Sequence, residues 1–446
     1  MTDPLSELLE FLAIPSVSAD PSHDADTERA ARWLETRLSA AGFDTELVAT
    51  PGHPIVYAEQ PVAKEAPTLL VYGHYDVQPP EPLELWETPP FEPTIKDGKV
   101  YARGASDDKG QLFAHVAAAA QLGGDLPVNL KFLIEGEEEV GSTHLVDFVR
   151  ANRERLAADA VLISDSPMFA PGLPTLTYGL RGLAYLEVRL RGLGRDVHSG
   201  AYGGAVPNAA HAAAWMVAQL KDPMGWIRIP GFYDDVLPLA PEERVLWARL
   251  PFDEEAFKAE VGAEATPGEP GYGILERRWA RPTLDVNGMG SGYQGEGSKT
   301  VIPAEAFFKF SMRLVPDQDP EKIADLTEAY LREILPEGYA MEVIRYHGGD
   351  PVVVPTNSPP MQAAAQALEE AWGRETVFIR EGGSIPIVAD FMRELDAPVV
   401  LMGFGLESDN LHAPNEKFDL INFEKGIEAS KNFLRLLPMY LKGGSS

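Results

Sequence analysis

The sequence predicts an α/β fold with a mostly parallel sheet, interrupted by an inserted α+β domain. Three observations predict it. Over the first 180 residues, short apolar runs alternate with amphipathic or Ala-rich helical stretches, the signature of a layered α/β protein. Near Leu180 the pattern changes to strand, helix, strand, strand, helix, strand, with one half-exposed strand face. After Pro351 the first pattern resumes.

Leucines and Phe11 at helical spacing predict a helix over 3–14. A second amphipathic helix runs over 27–41, with Ala30, Trp33, Leu34 and Leu38 on one face and Gly42 as its stop. Apolar segments at 45–48, 55–58, 68–72, 128–134 and 160–163 read as strands, and the Ala-rich stretch 110–122 as a helix. Past Leu180, residues 184–190 alternate as a strand and 208–220 form a helix. Residues 221–280, rich in Pro, Trp and acids, read as an irregular insertion. Strands at 283–286 and 306–314, a helix at 320–335 and a strand at 340–346 complete the inserted layer. A helix at 361–372, a strand at 399–402 and a closing helix at 423–441 return to the first domain. The boundaries are thus 1–180 and 349–446 for the discontinuous domain, and 181–348 for the insert.

The bulk numbers narrow the function. Apolar residues make up 45% of the 446 residues and charged residues 24%, values of an ordinary folded chain. The net charge of −30 opposes binding to nucleic acid and to anionic membranes. There is no cysteine, which excludes disulfides, thiolate metal sites and thiol nucleophiles. The start, Met1-Thr2-Asp3-Pro4-Leu5, lacks the basic residues and apolar core of a signal peptide. No apolar stretch reaches the roughly 18–20 residues that span a bilayer. The expectation is a soluble, cytoplasmic protein.

Five residues of metal-ligand type stand just past five separate apolar runs: His74, Asp107, Glu139, Asp165 and His412. An unpaired buried charge is costly, and one shared metal site accounts for all five. His74 and Asp76 lie two apart, so in extended backbone they face the same way and the acid can orient the imidazole; a satisfied core histidine is the other reading. Asp107 and Asp108 stand between glycines before the Ala-rich helix, either as a helix cap or as a carboxylate bridging two cations. The acidic run Glu137-Glu138-Glu139 follows a strand, and is either a solvated turn or a place where one glutamate binds metal and its neighbour takes a proton. His and carboxylate donors without thiolate suit zinc, manganese or cobalt.

These stretches resemble the metallopeptidase family that includes carnosinase and the cytosolic nonspecific dipeptidases, with carboxypeptidase G and succinyl-diaminopimelate desuccinylase as more distant members. The likeness runs from Ile14-Pro-Ser-Val-Ser18 to the final helix. It is carried by Gly73-His-Tyr-Asp-Val77, Arg103-Gly-Ala-Ser-Asp-Asp-Lys-Gly110, Glu135-Gly-Glu-Glu-Glu-Val-Gly-Ser142, Asp196-Val-His-Ser-Gly200, Lys299-Thr-Val-Ile-Pro303, Ser311-Met-Arg-Leu-Val-Pro316, Arg380-Glu-Gly-Gly-Ser-Ile-Pro386 and His412-Ala-Pro-Asn-Glu416.

The resemblance implies two divalent metal ions per subunit. Asp107 would bridge them, His74 and Asp165 would complete one site, and Glu139 and His412 the other. Glu138 would be the general base acting on a water that the two cations share, Asp76 would clamp His74, and the Asp107–Asp108 bond would be cis. The first domain would be catalytic and the insert a lid and dimerisation domain. His198 would donate to the oxyanion, reaching in from the other subunit of a homodimer; a solvent-exposed loop histidine is the other reading. Arg313 would fork onto a free C-terminal carboxylate, a structural arginine of an alternating strand being the other reading, and Thr300, Ser384 and His412 would also contact the substrate. His347 either lines the site or marks the hinge.

The implied activity is that of a dipeptidase acting on short peptides with a free C-terminal carboxylate. The long segment 221–280 and the wording Ser-Met-Arg-Leu-Val-Pro resemble the carnosinase branch. The alternatives are an N-acyl amino-acid deacylase or carboxypeptidase on the same scaffold, or a binding protein derived from such an enzyme. The chain keeps every expected position, against that last reading. Gly290-Ser-Gly-Tyr-Gln-Gly295 matches a dinucleotide-binding pattern but precedes a strand-like segment, so it reads as a flexible loop. No His-Glu-x-x-His occurs, so the single-zinc protease class has no support.

Overall fold

The computed structural model describes residues 3–346 and 348–443 and divides the chain into two compact units. The first comprises the chain up to Tyr178, Val354–Ile379, and the chain from Asp390 onwards; the second comprises Gly179–Val353 and Arg380–Ala389. His347, left open above, lies outside the described residues.

The first unit is built on a twisted sheet. From one edge its strands run Asp44–Val48, Ile55–Gln60, Asn129–Glu135, Thr68–His74, Ala160–Ile163, Val399–Leu401 and Thr175–Leu180. The middle four are parallel, and the strands flanking them pair antiparallel. Parallel strands are covered on both faces and read as unbroken apolar runs. Accordingly, every residue of Ala160–Ile163 is buried, as is every residue of Thr68–His74 after the first. The helix Lys109–Leu122 is buried over its first eleven residues. Its alanines let it press on the Thr68–His74 strand from one side and on the closing helix Leu420–Gly443 from the other. Asp3 caps the first helix, Pro4–Leu12, by accepting from Ser6 N, and Phe11 of that helix stacks on Trp33 with ring centroids 4.7 Å apart. No helix among the described residues is long and apolar enough to cross a membrane.

The second unit is a four-stranded antiparallel sheet, in the order Thr283–Ser291, Glu305–Leu314, Gly182–Arg191, Ala340–Arg345. Strand Glu305–Leu314 alternates strictly. Ala306, Phe308, Phe310, Met312 and Leu314 face a core shared with Met216 and Leu220 of helix Ala209–Leu220 and with Ile323 and Leu331 of helix Pro320–Ile334. Period two then puts Arg313 on the opposite face.

Two sequence expectations need correcting here. The segment 221–280 is not irregular: it folds helices Pro241–Trp247, Glu254–Val261 and Ile274–Trp279. Trp247 and Trp279 meet edge to face at 5.2 Å, and Arg281 forms a buried bidentate pair with Glu269 at 2.5 and 2.8 Å. Helices of six to eight residues span about two turns, too few for periodicity to stand out. The motif 290–295 is not wholly a loop either, because Gly290 and Ser291 end a nine-residue strand. The next element is the short strand Val301–Ile302, so no helix N-terminus is present there to cradle a phosphate.

Candidate metal centre

Five side chains converge in the first unit as two groups that share one residue. His74, Asp107 and Asp165 form one group, and Asp107, Glu139 and His412 the other, with the ligand atoms of each group within 4.8 Å of one another. His74 Nε2 lies 3.2 Å from Asp107 Oδ1. On the other oxygen, His412 Nε2 lies 2.9 Å from Asp107 Oδ2, and it is also 3.3 Å from Glu139 Oε2. Asp107 therefore turns one oxygen toward each group.

Local structure explains these positions. His74 ends a buried parallel strand, Asp165 follows another by two residues, and Glu139 sits in the turn Glu138–Val140 after a third. Asp107 arrives differently, from the loop after Lys99–Tyr101, a strand of a separate three-stranded sheet. His412 is carried by a loop in which Asn410, His412 and Asn415 all take positive φ. Asn415 anchors that loop, accepting from Glu87 N at 2.7 Å and donating to Leu85 O at 2.9 Å.

His74 is not a satisfied core histidine. Its Nδ1 lies 3.1 Å from the main-chain oxygen of Asp76 and 3.4 Å from Asp76 Oδ1, which fixes the ring and aims Nε2 at Asp107. That Nε2 is buried and makes no hydrogen bond. The helix-cap reading of the aspartate pair also does not describe the contacts. Asp108 stands at the N-cap of Lys109–Leu122 but makes no side-chain cap bond; its Oδ2 accepts from His74 N at 3.2 Å instead. Gly73 permits this approach, since a Cβ there would lie 2.7 Å from Asp108 Oδ2. The Asp107–Asp108 peptide is cis.

The electrostatics fit cations. Burial pushes the Asp165 carboxyl up to about 6 and that of Glu139 up to about 9, with Asp107 adding repulsion in both cases. Burial also raises Glu138 well above the usual carboxylate range; Asp165, Glu139 and Asp107 add to this while His74 opposes it. Burial works against Asp107 too, yet its contacts with His412 and His74 hold it below that range. So many carboxylates cannot all ionise together without a compensating charge, and divalent cations would supply it. The donor set is imidazole and carboxylate, and the buried, unbonded His74 Nε2 is one donor already in place. The residues fit two such ions. Glu138 belongs to neither group.

Two supporting residues escaped the sequence reading, and the bond from His74 N to Asp108 was not foreseen either. Gln78 donates to Glu139 Oε2 at 2.8 Å. Glu416, fully buried, accepts at Oε2 from Arg103 Nη1 (2.7 Å) and Gly104 N (2.9 Å), and at Oε1 from Ser106 N (2.9 Å) and Asp107 N (3.1 Å). The signal was present in the acidic end of His412-Ala-Pro-Asn-Glu416, but nothing local told that its partner loop lay some 310 residues away.

The remaining predicted residues lie in the second unit, as two pairs. His198 is exposed. Its Nδ1 accepts from Gly200 N at 3.0 Å, which leaves the proton of the neutral ring on Nε2; that atom lies 3.2 Å from Thr300 Oγ1. Arg313 donates through Nη1 to Ser384 Oγ at 2.9 Å.

Residues 70–436 match the model of peptidase family M20/M25/M40. The chain belongs to that family. Its metal dependence agrees with the two groups around Asp107. Among relatives in this family, the Cys-Gly metallodipeptidase dug1 of Schizosaccharomyces pombe is 34% identical over 95% of this chain and 93% of its own. The crystal structure of the M20 family metallo-carboxypeptidase Sso-CP2 from Sulfolobus solfataricus is 36% identical, with a TM-score of 0.89 over 98% of this chain and 100% of that one. Human carnosine dipeptidase 1 is 30% identical, with a TM-score of 0.85 over 98% of this chain and 96% of that one.

Proposed function

We propose that this M20 enzyme is a dipeptidase, removing one residue from dipeptides or short peptides with a free C-terminal carboxylate. The observation that carries the chemistry is the shared Asp107, flanked by two half-sites, with half-buried Glu138 within electrostatic reach of both and a member of neither. The substrate class is supported by the dipeptidase relatives, about a third identical over nearly the whole chain.

His74, Asp107 and Asp165 would hold one divalent cation, and Asp107, Glu139 and His412 a second, zinc or alternatively manganese or cobalt. Such ions, when bound, polarise a carbonyl and lower the pKa of water to about 7. Glu138 acts as general base and returns the proton to the leaving amine. Asp76 orients His74. His198, with its proton on Nε2, is a ready donor to the developing oxyanion; in a homodimer it would serve the metal site of the other copy. Arg313, its guanidinium held by Ser384, would fork onto the substrate carboxylate, with Thr300 and His412 as further substrate contacts. In this reading the catalytic domain is 1–180 and 349–446, and the insert 181–348 is the lid and dimerisation domain.

The carboxypeptidase reading has one specific observation behind it, the likeness to Sso-CP2. A substrate panel with added zinc or manganese separates the alternatives. A dipeptidase cleaves free dipeptides and spares N-blocked ones. A carboxypeptidase cleaves N-blocked peptides, and a deacylase prefers N-acyl amino acids. No turnover on any of them would sink the enzymatic reading.

A further inference from the structure

Arg181 has no role in the reading above, yet it stands beside the carboxylate anchor. Its backbone brackets the segment that holds Ser384: Arg181 N donates to Gly383 O at 3.1 Å, and Arg181 O accepts from Ser384 Oγ. Ser384 Oγ in turn accepts from Arg313. The Arg181 side chain donates from Nε to Gly382 O at 3.0 Å, while its Nη1 is buried with no hydrogen-bond partner. Gly382 makes room for the guanidinium, since a Cβ there would lie 2.9 Å from Arg181 Nη2.

Arg313 and Arg181 thus meet through Ser384, the first by its guanidinium and the second by its main-chain oxygen. Burial lowers Arg181 to about 10; repulsion from Arg313 and Arg278 adds to it, while Glu381 and Asp285 oppose it; burial lowers Arg313 as well. Keeping two partly dry cations on one segment is costly, and since Glu381 and Asp285 leave Arg181 still lowered, a further anion that joins them lessens the cost. A planar carboxylate is the anion that matches a guanidinium fork.

We propose that Arg181 is a second specificity residue, pairing its charge with that of Arg313 so that one carboxylate of the substrate relieves the repulsion between them. This rests on the reading of Arg313 as the carboxylate anchor. Arg181 then selects acids over amides. It acts as the charge behind Arg313, not as a group in the bond-breaking step.

The test compares a dipeptide with its C-terminal amide, using metal-loaded wild type, Arg181→Met, Arg181→Lys and Gly382→Ala. Wild type is expected to favour the acid. Arg181→Met should raise KM for the acid about tenfold or more with little change in kcat, and leave the amide within about twofold. Arg181→Lys, which keeps the charge, should restore part of the selectivity. Gly382→Ala, which crowds Nη2 without removing the arginine, should show the same acid-specific loss, so the proposal stays testable if Arg181→Met fails to fold. Parallel losses on acid and amide would overturn the inference, because a merely structural arginine affects both alike. A wild type indifferent to amidation would instead overturn the Arg313 anchor, and this inference with it.

Discussion

The carboxylate of Asp76 is bonded to the backbone that carries Glu138. Asp76 Oδ1 accepts from Glu138 N at 3.3 Å, and Oδ2 accepts from Glu139 N at 3.1 Å and from Ser18 Oγ at 2.7 Å. The same residue orients His74 chiefly through its main-chain oxygen. One aspartate thus fixes an imidazole of one half-site, a carboxylate of the other and the residue assigned as base.

Asp76→Asn should therefore do more than loosen one ligand. The amide keeps one acceptor but turns N–H groups toward a backbone that is itself donating. Supporting groups of this kind are worth about 10–100-fold in metal affinity or activity. Metal titration by calorimetry and kcat should both fall by about that factor. An Asp76→Asn protein with unchanged affinity and unchanged kcat would show that the turn holds itself.

Adjacent glutamates should separate cleanly. Glu139 lies in a ligand group and Glu138 in none. Glu138→Gln should keep its metal content by elemental analysis and lose kcat by about 10²–10⁴-fold, the range for a general base. Glu139→Gln should lose bound metal. The reverse pattern would mean that the two roles are exchanged.

How much of this was legible depends on how each residue acts. His74 and Asp165 were readable because a buried parallel strand is an unbroken apolar run, and a polar residue at its end stands out. The period-two argument for Asp76 met a limit: the strand ends at His74, so Asp76 lies beyond extended backbone and its carboxylate turns to the amides of 138 and 139. Glu416 and Asp108 work through main-chain N–H groups of distant or adjacent segments, and no spacing encodes that. The short helices between 241 and 279 hold too few turns to show a period. Arg181 reads as one more charge at a strand start, since its meaning comes from Ser384 and Arg313, remote in sequence.

Glu416 gives a stability prediction. It is the shared acceptor of the loop that delivers Asp107 and the partner of fully buried Arg103. Removing one member of a buried pair costs about 3–5 kcal/mol, because the other charge is left unmatched. Glu416→Gln should lose about that much in denaturant unfolding of the metal-free protein, and should also bind metal more weakly through a looser Asp107. A change within about 0.5 kcal/mol, the scale of ordinary surface substitutions, would remove Glu416 from the account.

His115 supplies the pH dependence. It sits in the core of the first unit, with Nε2 2.6 Å from Ser164 Oγ and Nδ1 2.8 Å from Ser430 Oγ, so it ties the Ala-rich helix to the end of a parallel strand and to the closing helix. Burial lowers its pKa from 6.5 to about 3. Between those values the unfolded chain binds a proton that the folded chain refuses, so its contribution is fully present above pH 6.5 and is lost as pH falls toward 3. The slope from one such group is about 1.4 kcal/mol per pH unit. Replacing His115 with glutamine should lower stability at neutral pH, where the two hydroxyls lose their ring partner. It should also flatten the acid limb of the stability profile by up to about that slope. Denaturant melts of both proteins at pH 7, 6, 5 and 4 give the comparison. Two parallel profiles would mean that His115 takes up its proton in the folded state, and that burial alone does not keep it neutral.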